Sequence, residues 1–249
     1  MKITTYTSEY NGPKAVVYSK QEELDPYLTA DAKERLARYP ENTNEKWFEF
    51  SLGAHTLWAY QTTQDLGTAE RAEKMRQAGN ALSTKVNGYN EDRVALFGAY
   101  TEEVTEGLIL GNYQFLRYFG DREKRRNTLV QVFVENADSP AIQAISNATM
   151  GTLFARDLVN TPVIDLSATD LANQAKEAAK RHGFSIEVLE KKQIESLKMG
   201  GLLAVNTGSP EPPTFIIMEH KPKNATNDQP IVLVGKGVVY DTGGLSLKP

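Results

Sequence analysis

Apolar positions recur along this chain with two different periods, and the switching between them outlines the fold. Residues 2–7, 14–18 and 56–62 carry the β-branched and aromatic side chains of short strands. Over 68–86, alanines together with Met75, Leu82 and Val86 fall three and four residues apart, which predicts an amphipathic helix. A strand at 94–99, a helix from Thr101 and a strand at 129–134 follow. Val104, Leu108, Phe115 and Phe119 are spaced to share one helical face and are expected to pack into a core. This alternation predicts an α/β domain ending near residue 137.

Residues 139–159 read as a linking helix, with Ser139 as its cap and Pro140 in the first turn, where no backbone N–H is needed. A second α/β unit is expected from Asn160, with helix 167–182, strand 184–189, helix 191–198, strand 214–220 and strand 231–235. Ser167 and Asp170 have the spacing of a helix-capping pair. His182 precedes Gly183 at that helix's end, where a cation complements the dipole. Ile231 to Val234 is an apolar run bounded by turn residues, the pattern of a strand buried on both faces. The organisation read from the sequence is therefore 1–137, 138–159 and 160–249.

Chemistry concentrates after that last run, which opens GKGVVYDTGGLSLKP. Gly235, Gly237, Gly243 and Gly244 bracket Lys236 and Asp241, and glycine lets the backbone come close to an ion or substrate. An aspartate is a hard donor suited to a divalent cation. A lysine ligates only as the neutral amine, so a neighbouring cation must favour loss of its proton. Taken singly, Gly-Lys-Gly reads more simply as a loop with a solvated lysine, and Asp241 as a turn residue. A phosphate loop is excluded, because Gly237 follows Lys236 where such a loop needs Ser or Thr.

As a whole, the stretch resembles the active-site motif of the cytosolic leucyl aminopeptidase family, the M17 metallopeptidases. Tyr240 stands where that family commonly has phenylalanine, and Thr242 where it commonly has serine. Three other segments resemble the same family: RDLVNTPVIDLSATDLA from Arg156, GGLLAVNTGS from Gly200, and EGLILGNYQFLRY from Glu106. Of these, the first matches the entry to the catalytic domain, the second a loop and strand, and the third a helix of the N-terminal domain.

The resemblance implies an N-terminal macro-like α/β domain followed by an α/β metallopeptidase domain, incomplete here. It implies that Lys236 ligates a metal, that Asp241 is shared between two metals, and that Lys248 is the catalytic electrophile. The implied cofactors are two divalent ions, zinc or manganese. The implied reaction is release of N-terminal residues from peptides, by an enzyme that assembles as a homo-oligomer, typically a hexamer. The family's other metal-binding carboxylates have no counterpart in this sequence. The chain is therefore expected to be inactive by itself, and to associate through unpaired strand surface. The competing reading is a non-catalytic binding or assembly protein that keeps the N-terminal domain; a nucleotide ligand there lacks a glycine-rich phosphate loop.

Composition narrows the classes. The 249 residues have 28 basic and 32 acidic side chains, a net charge of −4, which leaves no electrostatic footprint for nucleic acid. The basic cluster at Arg122, Lys124, Arg125 and Arg126 reads as a solvated loop. Cysteine is absent, which excludes disulfides and thiolate metal sites. His55, His182 and His220 do not form an H-E-x-x-H zinc motif. No apolar run approaches a membrane span, and the first residues lack a secretory apolar region. A cytoplasmic location is the expectation.

Overall fold

A computed structural model describes residues 1–36, 47–53, 55–62 and 67–239. The chain separates into two compact units, Met1–Ala155 and Arg156–Pro249.

Unit 1 is built on strands β1 (Lys2–Thr5), β2 (Lys14–Tyr18), β3 (Trp47–Ser51), β4 (Thr56–Gln61), β5 (Arg93–Gly98) and β6 (Gln131–Val134). Its helices are α1 (Ala30–Leu36), α2 (Thr68–Gly88), α3 (Thr101–Gly111), the single turn α4 (Arg122–Arg125) and α5 (Pro140–Asn160), which runs across the division at Ala155. The six strands form one sheet in the order β1-β6-β5-β2-β4-β3. Every pairing is parallel except β3 with β4. The α/β class with a parallel-dominated sheet is thus as the alternation predicts.

Both faces of this sheet are covered, which is why its central strands are apolar without a break. On one face Val17, Trp58, Tyr60, Leu96 and Val132 pack with Met75, Leu82 and Val86 of α2 and Val104 and Leu108 of α3. On the other, Val16, Leu57, Ala59 and Phe97 pack with Leu24, Ala32 and Leu36. The helices α2 and α3 meet backbone to backbone: a Cβ added at Gly79 or Gly107 would fall under 3.0 Å from the carbonyl oxygen of Val104 or Arg76. The Trp47 indole donates to the Ala78 carbonyl at 2.8 Å and ties β3 to α2.

Two expectations for unit 1 need correction. Helix α3 ends at Gly111, so Phe115 and Phe119 leave the face of Val104 and Leu108, and Phe119 is exposed. Just past the helix end, the Asn112 side chain donates to the Leu129 carbonyl at 2.9 Å and accepts from Asn87 at 2.8 Å. The basic cluster is the exposed helical turn α4 and not a loop, with Arg125 paired to Asp121 at 2.7 Å.

Unit 2 contains the C-terminal end of α5, then α6 (Ala168–His182), β7 (Ser185–Leu189), α7 (Lys191–Ser196), α8 (Gly200–Asn206) and β8 (Phe215–Glu219). Ser167 and Asp170 close a capping box on α6, and Gly183 ends that helix in the left-handed conformation at φ 74°. Strands β7 and β8 form an antiparallel pair. GGLLAVN, expected as loop and strand, is the helix α8. The expected strand at 231–235 is absent: these residues have no regular structure, and Ile231 to Val234 are 73–93% exposed. Among the described residues no neighbouring strand pairs with that run, so its apolar side chains have no layer to enter.

Candidate functional site

Among the described residues, the motif singled out above begins beyond the last regular element, β8. After β8 the chain passes through turns at 221–230 and enters the irregular segment that holds Lys236. Lys236 is exposed and lies between two glycines. A Cβ added at Gly237 would touch Leu171 of α6 at 3.8 Å, so this segment runs beside the first turns of that helix. Val238 is exposed and Val239 partly buried. Asp241 and Lys248 lie outside the described residues, so of the three predicted site residues only Lys236 has a described place.

Among the described residues no three His, Cys, Asp or Glu side chains converge on a point that would hold an ion. An amine from Lys236 and a carboxylate from Asp241 fall short of the about four donors that a single zinc takes. Among the described residues, therefore, no two-metal centre is made up.

The histidines do not alter that conclusion. His182 is exposed at the end of α6, where Lys180 and Arg181 also face the helix's negative end. His220 directly follows β8 and is exposed. In unit 1 a cavity of about 260 Å³ lies between β3, β4 and α2, bounded by Trp47, Tyr60, Lys74 and Lys85. It contains no residue of the motif and is smaller than the roughly 300–1,000 Å³ usual for ligand pockets.

Residues 153–249 match the model of the cytosol aminopeptidase family, catalytic domain. The chain also aligns over 211 residues, at 36% identity, with a probable cytosol aminopeptidase of Chlorobium phaeobacteroides.

The chain belongs to the cytosol aminopeptidase family.

The alignment with the Chlorobium phaeobacteroides protein takes in 74% of this chain and 42% of that one. Over 95 residues, 38% of the chain, it is 61% identical to a probable cytosol aminopeptidase of Chlorobaculum parvum, of which that stretch is 19%. Among solved structures, the bottromycin maturation enzyme BotP in complex with Mn superposes on 95% of this chain with a TM-score of 0.74 at 25% identity, using 50% of its own chain. This cytosol aminopeptidase family member thus spans less than half the length of the curated relatives it matches. Among the described residues, no helix is long and apolar enough to cross a membrane.

Proposed function

We propose that this chain forms part of a cytoplasmic, metal-dependent aminopeptidase of the leucyl type, which removes N-terminal residues from peptides. The observation that carries the reading is the uninterrupted motif GKGVVYDTGGLSLKP, lying inside the stretch matched by the family's catalytic domain. In this reading Lys236 and Asp241 are donors to divalent ions, zinc or manganese. A relative solved with Mn supports divalent metal use. Lys248 remains protonated and stabilises the oxyanion that develops as the peptide carbonyl is attacked. The remaining donors come from sequence that the longer relatives carry and this chain does not match. The working enzyme is a homo-oligomer, and this polypeptide alone is catalytically silent.

The test is a leucine-p-nitroanilide assay with excess manganese. The isolated chain is expected to give no turnover. Joined to the portion of the Chlorobium phaeobacteroides relative that it does not match, it is expected to hydrolyse the substrate, and Asp241→Ala or Lys248→Met to abolish that activity. A joined protein that stays inactive, or one indifferent to both substitutions, contradicts the reading.

A further inference from the structure

The cavity between β3, β4 and α2 has walls that core packing alone does not account for. Helix α2 carries two neighbouring stripes. On one, Met75, Leu82 and Val86 are large, apolar and buried, and they join the core around Trp58 and Leu96. On the other, Lys74, Gln77, Ala81 and Lys85 recur at three- and four-residue steps along one side of the helix. These small or polar side chains stand opposite Trp47 and Tyr60 and leave about 260 Å³ unfilled.

The aromatic wall is held in place. The Trp47 indole donates to the Ala78 carbonyl at 2.8 Å, and its ring centre lies 5.3 Å from that of Tyr60 at an angle of 55°. At one end of the cavity Lys85 comes within 4.0 Å of Glu49. That carboxylate has two other donors, the Trp58 indole at 3.3 Å and the Tyr89 hydroxyl. Glu49 is therefore satisfied without the lysine, and Lys85 can turn to a second carboxylate without stranding the first.

Size and charge define the occupant. A cavity of about 150 Å³ takes benzene, so the larger space here suits one ring with a short chain and is too small for a nucleotide. Two aromatic side chains offer a flat apolar body its contact surface. Two ammonium groups on the same wall favour a carboxylate and disfavour an amine. The Gln77 amide adds a neutral donor between them.

We propose that this cavity in unit 1 is a binding site for a small aromatic carboxylic acid. The ring lies against Trp47 and Tyr60, and the carboxylate sits between Lys74 and Lys85. The site contains no residue of the GKGVVYDTGGLSLKP motif, so it stands or falls independently of the peptidase reading.

The experiment titrates the full chain with 3-phenylpropionate, followed by calorimetry and by tryptophan fluorescence, since Trp47 is one of the two tryptophans. The expected result is saturable binding of one ligand per chain, with Kd of about a millimolar or tighter. The double variant Lys74→Gln, Lys85→Gln is expected to weaken it about tenfold or more; lysine and glutamine have similar helix propensity, so α2 persists. Ala81→Leu, which fills the cavity, is expected to weaken it by a similar factor. Lys33→Gln, on α1 at the opposite face of the sheet, is expected to leave it unchanged. Absence of saturation by about 10 mM, equal binding of 2-phenylethylamine, or affinity unmoved by the lysine pair or by Ala81→Leu overturns the proposal.

Discussion

Gly107 lies against the backbone of Arg76 so closely that a Cβ at position 107 would fall under 3.0 Å from the Arg76 carbonyl oxygen. Neither partner is a flexible side chain, so the clash is relieved only by moving α2 and α3 apart. Gly107→Ala is therefore expected to destabilise unit 1 by at least about 2 kcal/mol, at the upper range for overpacked cores. Urea unfolding followed by tryptophan fluorescence measures it. A loss below about 0.5 kcal/mol, the range of ordinary surface changes, would contradict this contact.

The asparagine network behind α3 gives a second expectation. Asn87 donates to the Ser83 carbonyl at 2.7 Å and to Asn112 at 2.8 Å, and its own oxygen accepts from the Leu129 N–H at 2.9 Å. Leu129 is buried, so Asn87→Ala strands its N–H away from water. The expected cost is about 1–3 kcal/mol. Asn87→Asp keeps the acceptor for Leu129 and loses the donors, so its cost differs measurably from that of alanine in the same unfolding experiment.

That network also shows why parts of the fold were legible in the sequence and others were not. Strand β2, helix α2 and the capped start of α6 are set by local periodicity and capping chemistry, which the sequence displays directly. Past Gly111 the Asn112 side chain is held by Asn87 and Leu129, partners 25 and 17 residues away, and no local pattern reports them. Strand β3 (WFEFS) escaped notice because its identity depends on antiparallel pairing with β4. Helix α8 was hidden by the glycine pair that opens it. For the site, the motif was legible because its meaning lies in a contiguous string of residue types. Ile231–Val234 lack the burial that their pattern predicts because an apolar run specifies a need for cover without specifying the layer that supplies it.

Acid should loosen the start of α6. Hydrogen bonds from the Ser167 hydroxyl and backbone N–H hold the Asp170 carboxyl below its usual range. A carboxyl lowered on folding stabilises the folded form above the ordinary aspartate pKa of about 3.9, and that contribution disappears as pH falls through the lowered value. Asp170→Asn removes the titration. The stability difference between wild type and variant should therefore be constant from neutrality to about pH 5 and change only in more acidic solution. Thermal melts across that range check it. A difference that grows between pH 6 and 8 would point to another group.

Metal titration offers a separate check on the donor count. The two donors that the motif offers, Lys236 and Asp241, predict weak, unsaturated heat with Mn²⁺ in calorimetry at concentrations below about a millimolar, since a stable site needs more ligands. Tight, saturable binding by the isolated chain, abolished by Asp241→Ala, would show that a fuller site exists than the described residues supply.

The sheet of unit 1 carries a consequence for its biosynthesis. Lys2 takes its register from Gln131, and β1 has β6 as its partner in the sheet. During translation β1 is made long before β6, so it must wait as an unpaired thread while β2, β4 and β5 assemble. That pairing closes a loop of well over a hundred residues, and non-local closure of this kind slows folding and prolongs the time that strand edges stay exposed on the nascent domain.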